Sequence, residues 1–246
     1  MIDCSLGFAF QTLTRFPFPS KAIDHEERIL FWFPFVGACI GGLSILISFL
    51  PLPIAVRAAL IIGFGAYATR AFHLDGLCDF ADALGGGWTK QRALEIMKDS
   101  HTGAFALVAL STVLLIQYSS LQSLVEIPLA LVVIPVYGRY MQVIAACCSS
   151  YAREGEGTAS RLVRGATKKH LVLPSLQILV VLVLLFRVIP AYAPASLWSF
   201  FAGLSMTVVL LYISNKRLGG VTGDVLGAIE VLSETSAMIG FLLPLA

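Results

Sequence analysis

The sequence predicts an all-α polytopic membrane protein of about seven transmembrane helices, with its N-terminus in the cytoplasm and an acidic site at the cytoplasmic face. Composition is the first reason. Of 246 residues, 57% are hydrophobic and 13% charged, with a mean hydropathy of +0.84, whereas a soluble domain is about 45–50% apolar. The second is segmentation: the apolar residues gather in runs of about 20, long enough to cross ~30 Å of hydrocarbon as helices. The third is charge placement. Arg15, Lys21, Arg28, Lys90, Arg92, Lys98, Arg153, Arg161, Arg164, Lys168, Lys169, Lys216 and Arg217 are 13 of the 17 basic residues. All fall on alternate connections, and by the positive-inside rule that side is cytoplasmic.

Residues 3 to 28 mix apolar and polar positions, and their Phe-Pro-Phe-Pro segment breaks any helix and sets aromatic rings near a membrane surface. The first apolar run is Ile29 to Leu50, ended by Pro51 and Pro53, and the second is Ile54 to Phe72. A polar segment from His73 to Thr102 follows. Gly103 to Leu124 and Ile127 to Ser149 are the third and fourth runs, and Ser150 to Lys169 is a second polar segment. His170 to Ile189 and Ala193 to Ile213 come next. The loop NKRLGGVTG then leads into a last run, Asp224 to Leu245. The connections near Pro51, Glu126 and Ala191 carry no Lys or Arg, so the three sizeable polar loops share one side.

No repeat or linker divides the chain, which reads as a single domain over 1–246. The five cysteines form no C-x-x-C pair and sit mostly in apolar runs, where they act as small hydrophobes. The first residues, with Asp3 and no basic region ahead of a cleavage site, do not read as a signal peptide. A net charge of +2 gives no reason to expect nucleic acid as a partner. The expected partners are small molecules and the lipid bilayer, with homo-oligomerisation left open.

Three stretches carry chemistry. In HLDGLCDFADALGGG, from His73 to Gly87, Asp75, Asp79 and Asp82 fall at i, i+4 and i+7 and so share one helical face. Like charges at that spacing repel unless a cation lies between them, and hard carboxylate oxygens at a membrane boundary suit Mg²⁺. In RALEIMKDSHTG, from Arg92 to Gly103, Glu95 and Asp99 would form the other half of an acidic cup with Arg92 and Lys98 at its rim. A metal–diphosphate site needs that mixture. In RLGGVTGDVLGAIE, from Arg217 to Glu230, the glycine-rich turn around Gly220, Thr222 and Asp224 would offer backbone amides to phosphate, with Thr222 or Asp224 as helix cap. Arg153 and Arg161 lie in a basic loop able to guide a phosphorylated substrate or to meet anionic lipid. Glu230 and Glu234 share a face inside an apolar run; Glu230 would join the metal site or hold Arg57, Arg70 or Arg139.

TRFPFP (14–19), HLDGLCDFADALGGG (73–87), EIMKDSHTG (95–103), YAREGEG (151–157) and LGGVTGDVLGA (218–228) together resemble one family across the whole chain. That family is cobalamin (5′-phosphate) synthase, also called adenosylcobinamide-GDP ribazoletransferase. The resemblance implies a magnesium-dependent multi-pass enzyme of the bacterial cytoplasmic (inner) membrane, acting in nucleotide-loop assembly. It would join adenosylcobinamide-GDP to α-ribazole or its 5′-phosphate and release GMP. Carried onto this chain, it makes Asp75, Asp79, Asp82 and Asp99 the expected Mg²⁺ ligands. Asp82, Asp99 or His73 would take the hydroxyl proton. Lys98 and Arg153 would offset the charge on the leaving GMP, with Gly220, Thr222 and Asp224 on the phosphates. A CDP-alcohol phosphotransferase would need D-x-x-D-G-x-x-A-R, where this chain has D-x-x-x-D-x-x-D without the Ala-Arg. A cation-coupled transporter would use Glu230, Glu234 and the intramembrane arginines, yet the sequence has no repeat of the kind transporters often show.

Overall fold

The computed structural model describes residues 4–18, 24–157 and 159–245. Asp3, Pro19 of the TRFPFP motif and Lys21 of the basic set lie outside the described residues. The chain folds as an all-α polytopic membrane protein. Eleven α-helices are described: α1 (Cys4–Leu13), α2 (Phe33–Ser48), α3 (Ile54–Ala68), α4 (Phe72–Gly86), α5 (Lys90–Ile96), α6 (Ala104–Leu124), α7 (Pro128–Cys148), α8 (Ser160–Gly165), α9 (Val172–Val188), α10 (Ala193–Leu218) and α11 (Gly223–Leu242). Short 3-10 turns extend several of them. Six of the resulting helices are long and apolar enough to cross a membrane: Glu26–Ser48, Ala104–Leu124, Pro128–Cys148, Lys168–Val188, Pro190–Leu218 and Gly223–Leu245. The second apolar run differs from expectation. It forms α3, then turns through 87° into α4, and the two pass as a span only when taken together.

Helices α7 and α11 form the centre of the bundle, each with 72% of its apolar window buried, while the window ending in α9 is 17% buried and that of α6 22%. The outer helices turn Leu115, Leu176, Val180, Val183, Trp198, Phe201 and Val208 outward. No hydrophobic force draws helices together in lipid, so close backbone approach has to hold the centre. Pro135 inside α7 leaves the Leu131 carbonyl without its i+4 amide, and Gly41 of α2 stands directly against that carbonyl, where a Cβ would collide with it.

Side-chain bonds at the two ends of the bundle bear on the expected topology. Arg57 reaches the Ser48 carbonyl at 2.5 Å and Glu126 at 3.2 Å, which ties together connections that carry no other basic residue. At the opposite end Arg161 meets Glu26 at 3.4 Å, Arg217 donates to the Gly87 carbonyl at 2.7 Å, and Arg153 reaches Asp224 at 2.9 Å. The loops that gather there are the three polar segments of the sequence.

Candidate active site

Helix α4 carries all three aspartates of the stripe, as the spacing predicts: Asp75 is exposed, while Asp79 and Asp82 are half-buried. Around Asp79 the structure gathers Asp75, Asp82 and Asp224 as like charges, with Arg153 as the opposing one. Asp224 opens α11, whose N-cap Thr222 accepts from the Val225 amide at 3.3 Å. One Asp224 oxygen accepts from Arg153 at 2.9 Å and from the Thr222 hydroxyl at 3.2 Å. Residues 79, 153 and 224 come from three distant parts of the chain to form this wall.

The loop carrying Gly220 is built for close approach. Gly219 has φ 76° and Gly220 φ 153°, and a Cβ on Gly220 would run into the Ser150 carbonyl. That packing lets Val221 and Tyr151 pair as an isolated β-bridge: the Val221 amide donates to Ser150 at 2.8 Å and the Ala152 amide to Val221 at 2.9 Å. The bridge holds the YAR segment beside the start of α11 and delivers Arg153 to Asp224. Arg164 fixes the same segment by donating to the carbonyls of Arg153, Glu154 and Gly155 at 3.2, 2.9 and 3.1 Å. The YAREGEG motif carries no local signal of this clamp, because its partner lies nine to eleven residues away on the separate short helix α8.

Other expected residues are engaged with further partners or lie apart from this wall. Asp82 uses both oxygens to cap α6, accepting from the Gly103 amide at 2.6 Å and the Ala106 amide at 2.9 Å. Asp99 lies on an exposed turn, where Oδ1 meets His101 Nδ1 at 2.6 Å; the hydrogen bond lowers the Asp99 pKa and raises that of His101. Its electrostatic neighbours are His101 and Arg92 rather than the stripe. Glu95 bonds Arg92 at 3.3 Å and Gln91 at 3.2 Å on the exposed face of α5, and Lys98 is exposed. The second half of the acidic cup therefore does not close over the first.

His73, one of the candidates to take the hydroxyl proton, turns away from the stripe, because two positions before Asp75 on a helix is about 200° round the axis. It is 3% exposed and packs inward on α11, with Nδ1 3.4 Å from Glu230 Oε2. Glu230 pairs with Arg139, which also meets Glu234 at 2.9 Å. Of the three arginines open to Glu230 in the sequence, the structure thus selects Arg139.

Fold and site together define a polytopic helical membrane protein with a wall of carboxylates, faced by an arginine, at one end of its bundle. The family model described as cobalamin-5-phosphate synthase (CobS) matches residues 5–242, and the chain belongs to that family. It is 36% identical over 239 residues to the adenosylcobinamide-GDP ribazoletransferase of Prosthecochloris aestuarii, which covers 95% of each chain. The enzyme of the same name from Chlorobium phaeovibrioides is 36% identical over 233 residues, 92% of each chain. That of Chlorobium chlorochromatii is 37% identical over 236 residues, 94% of this chain and 92% of its own. No solved structure matches the chain.

Proposed function

We propose that this protein is an adenosylcobinamide-GDP ribazoletransferase of cobalamin synthesis, and that its acidic wall is the catalytic site. The observation that carries the reading is the convergence of Asp79, Asp75 and Asp224 with Arg153, from the matched HLDG, GGVTGD and YAR motifs, at one end of the bundle. The full-length likeness to relatives bearing that name supports the substrates. By the positive-inside rule the site faces the cytoplasm of a bacterial inner membrane.

The residues fit magnesium in a particular way. Among the described residues no group of three or more His, Cys, Asp or Glu side chains stands ready to hold a metal alone. Mg²⁺ usually takes one or two protein carboxylates and fills its shell with substrate phosphates and water, so the fit is to a metal–diphosphate complex. Asp75, Asp79 and Asp224 would hold that complex, and Mg²⁺ would supply neutralisation of the diphosphate oxygens. Asp82 supports the wall by fixing α4 to α6 through its cap. Arg153 binds a phosphate oxygen and offsets the charge that develops on the leaving GMP, with Lys98 at the rim. The 3′-hydroxyl of α-ribazole, free or as its 5′-phosphate, forms the new P–O bond at the cobinamide-side phosphorus as the bond to GMP breaks. A stripe carboxylate accepts the hydroxyl proton; His73, turned inward, does not.

The test uses detergent-purified full-length protein with adenosylcobinamide-GDP and α-ribazole. GMP release that needs both substrates and Mg²⁺, without sealed vesicles or a gradient, is the expected result. Activity confined to sealed vesicles under a cation gradient would favour a transporter and end the proposal.

A further inference from the structure

Helix α4 meets the bundle through an unusual joint. Arg70 and Ala71 adopt left-handed backbone conformations, with φ 57° and 55°, at the 87° elbow. Residues other than glycine resist that region, so the surrounding packing must hold the elbow in place. Beyond it α4 lies backbone-to-backbone on α11: a Cβ on Gly76 would come 2.7 Å from the Asp224 carbonyl oxygen, and one on Gly227 3.2 Å from the His73 Cα. These contacts, with Asp82 bonded to the start of α6, hold the later turns of α4; the first turn, beside the strained elbow, depends on what it meets on α11. Its orientation matters, since each residue turns the helix by about 100° and only one face carries the stripe.

Among the described residues, the polar side-chain contact from α11 to the first turn of α4 runs from Glu230 Oε2 to His73 Nδ1, 3.4 Å apart. Both side chains are almost fully buried, 4% and 3% exposed, as is Arg139 at 4%. Arg139 of α7 grips the other Glu230 oxygen and reaches Glu234 one turn on; Gln117 of α6 bonds Thr235 at 2.9 Å beside them. His73, Gln117, Arg139, Glu230 and Glu234 line a cavity of about 100 Å³ together with Ser44, Thr69 and apolar side chains of α2, α3 and α7. Burying such charges costs several kcal/mol per ion before pairing returns any of it. Four ionisable residues on three helices, His73, Arg139, Glu230 and Glu234, none of them at the acidic wall, therefore call for a role.

We infer that Glu230 is a positioning residue for the acidic stripe: through His73 it holds the orientation of the first turn of α4, and so presents Asp75 and Asp79 to Asp224 and Arg153. Arg139 holds Glu230 in that pose. Glu234 compensates Arg139 and meets Glu230 itself. The inference rests on the stripe being the metal–diphosphate site. Groups that orient metal-binding residues from behind typically change metal affinity 10–100-fold when lost.

The test uses full-length protein in detergent with Glu230→Gln, His73→Gln, the double variant and Glu234→Gln as control. Two readouts are taken: backbone hydrogen exchange over residues 72–86, and the Mg²⁺ dependence of GMP release. Either single variant is expected to speed exchange in that segment and raise the half-saturating Mg²⁺ concentration about tenfold, while turnover at saturating Mg²⁺ stays within about threefold of wild type. The double variant costs no more than either single one, because both break one link. Glu234→Gln leaves both readouts near wild type, since Arg139 and Glu230 still balance. Unchanged exchange over 72–86 in Glu230→Gln, additive single effects, or a loss of saturating turnover at an unchanged Mg²⁺ requirement would each overturn the inference. His73→Gln probes the same link should Glu230→Gln fail to fold. If wild type releases no GMP while the exchange pattern appears as expected, the metal–diphosphate reading falls and the hold of Glu230 on α4 stands.

Discussion

Replacing Asp82 by Asn separates its structural bonds from any part in the acidic wall. The carboxylate accepts from the Gly103 amide at 2.6 Å and the Ala106 amide at 2.9 Å, at the start of α6. An Asn side chain keeps one acceptor oxygen and turns an NH₂ group toward the other amide, so at least one charge-assisted bond is lost, about 1.5–3 kcal/mol. The missing negative charge at a helix N-terminus adds about 0.3–1 kcal/mol. A total near 3 kcal/mol corresponds to a melting temperature lower by roughly 6–12 °C, at about 2–4 °C per kcal/mol for a chain of this size. Asp79→Asn should behave in the opposite way. It removes one carboxylate from among Asp75, Asp82 and Asp224, so without Mg²⁺ it should melt at or above the wild-type temperature. Thermal unfolding of both variants in the same detergent is the assay. Equal melting of Asp82→Asn and wild type would refute the cap, and a large destabilisation by Asp79→Asn would refute the crowding of charge around it.

Other outcomes follow from the same geometry. Arg139→Gln leaves Glu230 and Glu234 without their buried cation, a loss on the order of 3–5 kcal/mol; gel filtration and thermal unfolding should show little folded protein, and wild-type melting would contradict the pairing. Gly220→Ala forces a side chain against the Ser150 carbonyl at φ 153°, so it should lower both melting temperature and turnover, by more than about 1 kcal/mol in stability; an unperturbed variant would show that the loop packs otherwise. Asp99→Asn should lower the His101 pKa, followed by NMR titration of the imidazole, because the bond to Asp99 holds it up. That pair stabilises the fold only between two limits. Its contribution fades as pH rises through the raised His101 value and again as pH falls through the depressed Asp99 value. Both groups are exposed, so the effect on melting should be small.

Much of this architecture is written locally. Hydropathy runs give the spans, because a helix in lipid satisfies its own backbone and needs only length and apolar side chains. The stripe is equally legible, since i, i+4, i+7 is a property of one helix. What the sequence hides is rotation and reach. The elbow at Arg70–Ala71 carries no glycine or proline to mark it, so the second span reads as continuous into Phe72. His73 looks like a neighbour of Asp75 because adjacency in sequence is not adjacency around a helix. Asp82 caps a helix that begins 22 residues later, a partner no local pattern names. Glu230 had three arginines within its reach on paper, and only tertiary packing chooses Arg139.

The central claim, that the stripe around Asp79 performs the reaction while the exposed Asp99 turn does not, is tested most directly by turnover. Asp79→Asn and Asp99→Asn, each shown to be folded by its thermal transition, are compared for Mg²⁺-dependent GMP release from adenosylcobinamide-GDP with added α-ribazole. Loss of turnover by at least about a hundredfold in Asp79→Asn, with Asp99→Asn within a few-fold of wild type, is the predicted result. Near-normal turnover in Asp79→Asn, or an equal collapse in both, would contradict it.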